Sequence, residues 1–547
     1  MKRHQLVEVV AYVAKRSMII VFLIVTMLEP FKISTVAQAA DGAADLTFGN
    51  GGSVMTDFSG NYDWITDVLV QSDGKILAVG GAETADDTDH FALARYNSDG
   101  SLDQSFGTEG KVIATDARLE VATSVAVLPE GKILVAGSAY DGGSDFGLAR
   151  FNSDGSIDSS FGSFGTVITN LGGADDCSSV IVQPDGKILL AGDGGQGNRQ
   201  ASSFMVVRYK SDGRKDLSFG KGGVSEIRFS DGFDQAYAMA LQPDGKIVLA
   251  GSSDSNNEKT PFAVARINSD GSLDETFGDG GKFTLNFFGT DNEVRSVALQ
   301  SDGKILLAGW ADRKEPGPEI FALARLNSNG SLDKSFGDRG KVTDELFGRG
   351  GQASAINIQP GGKIVVAGYA GSDNSAVPVI DFAVFRYNSD GTLDTSFGSS
   401  GLLITDLHHA FDFGNAMAFQ PDGKIIVAGG SDDIGIESDF ALVRYDNHFS
   451  YDICLQDDAN GSTLQIDSAT GYYIFTDCKS NFALFGRGNI KVKKCKVTLK
   501  TSAFDRSVSV TIKSCKHKAS ASVEDVSSGR TFSLSDSDTE GGTCACQ

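Results

Sequence analysis

Gln242-Pro243-Asp244-Gly245-Lys246-Ile247-Val248-Leu249-Ala250-Gly251, followed at 262–278 by Phe-Ala-Val-Ala-Arg-Ile-Asn-Ser-Asp-Gly-Ser-Leu-Asp-Glu-Thr-Phe-Gly, is one of seven copies of a single pattern. The turn lysines are Lys75, Lys132, Lys187, Lys246, Lys304, Lys363 and Lys424. The closing Phe-Gly pairs begin at Phe48, Phe106, Phe161, Phe219, Phe277, Phe336 and Phe397. A period of about 58 residues indicates a propeller, a solenoid or another repeat array.

Each unit reads as four short strands. The first is taken as the run after Phe-Gly, such as Lys111 to Thr115. The second alternates apolar and small residues (Tyr237-Ala238-Met239-Ala240) and ends at a Pro-Asp-Gly or Ser-Asp-Gly turn, whose glycine allows a positive φ. The third, Ile-Leu-Val-Ala-Gly, is a continuous apolar run suited to a strand covered on both faces. The fourth is Phe91 to Tyr96 and its counterparts. Stacked linearly, such units would leave open sheet edges, whereas radial closure protects them. The expected fold is therefore all-β: a seven-bladed β-propeller of four-stranded antiparallel blades over residues 40–446. An open β-solenoid is the alternative.

The unit resembles the delta-60 repeat, a family of bacterial extracellular proteins of unknown function with a β-propeller-like form. The resemblance runs from about Asp41 to Asp446 and is carried by the co-occurring turn, Ala-Gly, Arg-Tyr-Asn-Ser-Asp-Gly and Phe-Gly positions. It is weakest in the third unit, which reads Phe204-Met-Val-Val-Arg-Tyr209, and in the sixth, where Gly361 replaces the turn aspartate. It implies a propeller and a secreted bacterial context, and supplies no catalytic residues.

The ends differ from the middle. Lys2, Arg3, Lys15 and Arg16 precede the apolar run Met18 to Leu28, and Ala37-Gln38-Ala39 forms a small-residue cleavage pattern. Residues 1–39 read as a signal peptide cleaved after Ala39, too short in its apolar run to span a bilayer. The mature chain is expected to be secreted, periplasmic or at the cell surface, monomeric and without a membrane span. A formal charge of −23 disfavours nucleic acid, whose phosphates are neutralised by lysine and arginine. Residues 447–547 lack the repeat and carry Cys454, Cys478, Cys495, Cys515, Cys544 and Cys546. Six cysteines in a small exported segment suggest a disulfide-rich β domain of open connectivity, with Lys491 to Lys500 as a basic strand. Cys177, alone in the repeats, stands where sister units have Ala122 and Ala236 and reads as a buried filler.

Two sets of recurring charges invite a role. Arg95, Arg150, Arg208, Arg266, Arg325, Arg386 and Arg444 are the strand arginines. Asp103, Asp158, Asp216, Asp274, Asp333 and Asp394 follow the first six by eight residues, and Asp45 is the extra N-terminal copy. Seven of each suggest structural, bidentate ion pairs, with Arg444 and Asp45 tying the chain's ends together. The alternative, a ring of substrate-binding arginines, is less economical. Asn-Ser-Asp-Gly-Ser-Leu-Asp could also serve as a calcium loop, although Asn and Asp favour turns by bonding their own backbone. No other cofactor is indicated.

Catalytic signatures are absent from the sequence: there is no His-Glu-x-x-His, no Gly-x-Ser-x-Gly and no phosphate loop. Gly192 to Gly197 matches Gly-x-Gly-x-x-Gly by letter but opens no helix, and His408-His409 reads as an exposed pair. One end of the ring carries the uniform turns, and the other carries loops that differ in every copy. Recognition is placed on that variable end, with Trp64, Trp310 and Tyr369 as candidate binding surface. The expected function is non-enzymatic binding of a protein or polysaccharide. A hydrolase or lyase using the central channel is the alternative, and would show unlike ionisable groups converging at one channel mouth.

Overall fold

The computed structural model describes residues 41–447, apart from position 59 and the loop stretches 86–87, 196–200, 255–258, 314–318, 345–349, 372–378, 408–410 and 433–436; after 447 it describes the backbone of nine strands. The proposed signal peptide, the side chains of the six C-terminal cysteines and the His408-His409 pair lie outside the described residues.

Five four-stranded sheets and one eight-stranded sheet follow one another along the repeats. The eight-stranded sheet is two four-stranded units joined by a single bridge, Ile380 to Phe411, which brings the count to seven blades. In the first blade the strands run Asp63–Val70, Ile76–Glu83, Asp89–Tyr96 and Lys111–Ile113, from inner to outer, each antiparallel to the next. The strand after Phe-Gly is thus the outer strand of the preceding blade, and not the first strand of the next as the sequence suggested. That shift of phase leaves the last blade short of an outer strand. Ser53–Thr56 fills the gap by pairing with Ser438–Tyr445.

Among the described residues seven apolar clusters hold the blades together, each shared by consecutive blades. Phe321, Leu323 and Ile356 join the fifth blade to the sixth, while Phe48, Ile65, Ala428 and Phe440 join the last to the first. The ring is therefore closed, and the open solenoid is excluded. The apolar run is the reason: Ile76 to Ala82 is buried throughout because neighbouring blades cover both its faces. Full burial of each Ile, Leu or Val there contributes about 1.5–3 kcal/mol. Cys177 lies in one such cluster as a free, buried thiol.

The glycine of Ile-Leu-Val-Ala-Gly has a packing cause. Every inner strand bulges by one residue, as between Ala236 and Ala238, and at Gly251 a Cβ would overlap the carbonyl oxygen of Gln235. The same overlap with the inner strand recurs at Gly80, Gly137, Gly192, Gly309, Gly368 and Gly429. Gly192-Asp193-Gly194 is consequently strand, not a phosphate loop.

The nine strands after 447 form one antiparallel sheet, in which Ile453–Gln456 pairs with both Thr463–Ile466 and the last strand, Arg530–Asp536. Lys491 to Lys500 is not one strand but a hairpin, Asn489–Lys493 against Lys496–Ala503. Asn489–Lys493 stands at an edge of the sheet, where lysines discourage pairing with other chains.

Candidate functional site

The recurring arginines and aspartates meet at the uniform end. In the first blade Arg95 Nε donates to Asp103 Oδ2 at 2.7 Å, and Lys75 Nζ from the Ser-Asp-Gly-Lys turn reaches the same oxygen at 2.7 Å. Asp103 Oδ1 accepts the backbone N–H and hydroxyl of Ser105, at 3.1 and 2.7 Å. The pair is therefore not bidentate, because the second carboxylate oxygen is committed to its own turn. Arg95 Nη1 instead donates to Ser153 O of the next blade at 2.5 Å, and its guanidinium lies 4.4 Å from the centre of the Phe106 ring. One side chain thus closes its own connector and latches the following blade.

The arrangement repeats through Arg150–Asp158, Arg208–Asp216, Arg266–Asp274, Arg325–Asp333 and Arg386–Asp394, at 2.6–2.9 Å. The seventh copy is assembled from both ends of the repeat region: Arg444 lies 2.6 Å from Asp45, over Phe48, and donates to Ser98 O of the first blade. Arg386 uses Asn447 Oδ1 at 2.7 Å in place of the serine carbonyl. Burial alone would raise the Asp103 carboxyl, but Lys75, Ser105 and Arg95 outweigh it and hold it well below the usual range. The other six aspartates are also lowered. In the connectors Asp99 accepts the N–H and hydroxyl of Ser101, so the oxygens considered for a calcium loop are engaged in a turn.

The variable end is irregular, and one sector of it gathers unlike groups on the inner strands of neighbouring blades. The bulge position holds small or polar residues in most copies. Thr66, for example, donates to its own blade at Val79 O, 3.1 Å, and to the next at Ala122 O, 2.6 Å. In the fourth and fifth blades it holds Tyr237 and Arg295, whose guanidinium lies 4.6 Å from the centre of the Tyr237 ring. Arg295 Nε also pairs with Glu293 Oε1. Glu293 stands opposite Trp310 on the next strand, and Trp310 Nε1 is buried with Glu293 as the acceptor within its reach but no aligned hydrogen bond. Glu293 Oε1, in ion-pair range of Arg295, likewise makes no aligned hydrogen bond.

In the sixth blade Gln352 stands opposite Tyr369 and donates to Glu319 Oε2, while the Tyr369 ring meets Phe413 of the seventh blade edge-on at 5.2 Å. Burial raises Glu293, partly countered by Arg295, and pushes Tyr369 up to about 12. In the third blade, burial and then Asp176 and Asp175 push Asp193 up to about 8.

Trp310 and Tyr369 thus share this sector, half-buried at strand ends and not on loops. Trp64 does not join it: it packs over Gly81 and against Gly430, where the first blade meets the last. Glu293, Arg295 and Tyr237 escaped sequence reasoning because strand residues in a repeat look structural. The available signal was a large or charged residue at a position that is small in sister copies. A groove of about 1010 Å³ lies elsewhere, between outer strands of the first two blades beside Lys111, Arg118 and Phe164. Its charges are largely spent on one another, Arg118 pairing with Asp116 at 2.8 Å.

Seven stretches match one family model. Its description is "Domain of unknown function (DUF5122) beta-propeller", and the matched residues are 71–106, 128–161, 183–219, 242–277, 300–336, 359–397 and 420–447. No curated protein matches the chain. Among solved structures, a protein of unknown function from Dyadobacter fermentans is similar at 12% identity and a TM-score of 0.39, covering 73% of this chain and 98% of that one. A putative 6-phosphogluconolactonase from Bacteroides fragilis is similar at 15% identity and 0.37, with 76% and 97% covered. An α-L-arabinofuranosidase from Fusarium graminearum is similar at 11% and 0.37, with 59% and 91% covered. Among the described residues no helix is long and apolar enough to cross a membrane.

Proposed function

We propose that the protein is an exported, delta-60-type recognition module that binds a glycan at the variable end of its propeller without turning it over. The observation that carries the reading is the sector of the fourth to seventh blades, where aromatic faces stand beside unsatisfied polar groups. Trp310, Tyr369 and Phe413 offer apolar surface for a sugar ring, while Glu293, Arg295, Gln352 and Trp310 Nε1 offer hydrogen bonds to hydroxyls. Orphaned polar atoms are uncommon in native interiors, and a few convergent polar groups among rings are what a small-molecule site requires. Signal-peptide cleavage after Ala39 would place this face outside the cell, and the C-terminal sheet would be an accessory module.

The test is a glycan array with the mature chain, with and without residues 447–547, followed by calorimetry on any hit. Trp310→Ala and Tyr369→Ala are expected to weaken binding at least tenfold while the melting curve keeps its shape. An array with no retained glycan sinks the reading. The raised pKa values of Glu293 and Asp193 favour one rival, hydrolysis at the same mouth. Release of reducing sugar that Glu293→Gln abolishes would establish it.

A further inference from the structure

The variable end repeats a second arrangement at blade interfaces, apart from the aromatic sector. Between the last and first blades, Asp57 follows the outer strand Ser53–Thr56, Asp63 opens the inner strand, and Asp439 is the second residue of Ser438–Tyr445. One carboxylate oxygen from each lies within 4.8 Å of the others. Between the sixth and seventh blades the same places hold Asp406, after Leu402–Thr405; Asp412, in the inner strand; and Asp381, second in Ile380–Tyr387. Those oxygens also lie within 4.8 Å of one another.

A separate observation points to a ligand. Asp63 is fully buried, 0% exposed, and its Oδ2 accepts the Phe58 N–H at 2.6 Å. Its Oδ1 has no hydrogen-bond partner. A buried carboxylate oxygen facing two further carboxylates is relieved either by a proton or by a bound cation. Lys111 helps only from a distance, its Nζ donating to the Asp57 carbonyl at 2.9 Å.

We propose that Asp57–Asp63–Asp439 binds a divalent cation of the calcium type, clamping the last blade to the first at the variable end; in the other group the inner-strand acid is already satisfied, Asp412 accepting from the Leu407 N–H and the Ser431 hydroxyl, so the assignment stays with the first. Among the described residues the donors of Asp57–Asp63–Asp439 are all oxygen, with no histidine or cysteine, which selects a hard cation. Three acids drawn from three separate segments suit the flexible, oxygen-rich sphere of calcium better than the strict octahedron of magnesium. Between the second and third blades the same positions hold Asp145, Asn170 and Asp175, and the uncharged amide keeps that interface out of the assignment.

The experiment is calcium titration of the chelator-treated full chain, followed by calorimetry and thermal melting, with magnesium as the comparison ion. Affinity is expected around 10⁻⁴–10⁻³ M, the range of extracellular calcium modules. Asp57→Asn, at an exposed position, is expected to lower the number of bound ions by one and to remove the calcium-induced rise in melting temperature, while its calcium-free melting temperature matches or exceeds that of the parent. No response to millimolar calcium, or a response that the substitution leaves intact, overturns the proposal. A response in which magnesium equals calcium overturns the calcium assignment.

Discussion

At the uniform end Asp274 receives Lys246, Arg266 and Thr276, so both of its oxygens are engaged; at the variable end Glu293 and Trp310 face each other with polar atoms left over. The strands beneath both ends are the same. Their difference teaches where repetition ends: the repeated latch engages its aspartate in every copy, with Arg444 Nε of the closing copy its one orphaned donor among the described residues, whereas a site needs groups that the copies do not share. Among the described residues of the inner strands, acid, arginine and rings collect where the fourth to seventh blades depart from the small residues used elsewhere.

The strongest way to break this contrast is to remove one latch acid. Asp274→Ala leaves Arg266 and Lys246 without their shared counter-charge and is expected to cost about 3–5 kcal/mol, read by denaturant unfolding. Asp45→Ala should cost a similar amount, because the closing latch has the same partners supplied from the other end of the repeats. A much smaller loss at Asp45 would mean that closure rests on the apolar clusters alone.

Acidity separates the ends next. The latch aspartates have lowered values in the folded chain, so their contribution is present above the unfolded range near pH 4 and is lost as pH falls below it. Asp193 has a raised value of about 8, so its contribution is fully present below the unfolded range near pH 4 and is lost progressively as pH rises to about 8. Asp193→Asn should therefore flatten the stability profile between about pH 4 and pH 8 and leave the fall below pH 4 unchanged.

Cys177 sharpens the comparison by chemistry. Burial pushes its thiol up to about 12, so alkylation at pH 8 should label it only after unfolding. The smallest expected effect lies in the turn after Phe-Gly. Phe164 has φ 55° and is 85% exposed where other copies place Gly51, Gly222 and Gly280. Phe164→Gly relieves a left-handed residue at some cost in chain entropy, and a gain of about 0.5 kcal/mol is expected by thermal melting.

Much of the fold was legible because the period, the Asp-Gly turns and the apolar third strand are local signals that agree in every copy. The blade boundary was not. The strand after Phe-Gly can pair backward or forward with equal local propensity, and it pairs backward because the connector folds onto Arg95 of its own blade. The hairpin inside Lys491 to Lys500 was missed for a similar reason: lysine-rich, β-branched residues extend equally well on either side of a turn that carries no glycine or proline.

The sequence by itself determined seven sheet units, their shared turns and the pairing of one arginine with one aspartate in the first six, since these depend on contacts within a few tens of residues. Tertiary structure decided the rest. Ring closure set Ser53–Thr56 beside Ser438–Tyr445, and the bulge of each inner strand made the Ala-Gly glycine obligatory. Closure also brought Tyr237, Arg295, Trp310 and Tyr369 into one sector. Those groups are distant in the chain, and only the radial packing of blades, driven by burial of both faces of every apolar strand, makes them neighbours.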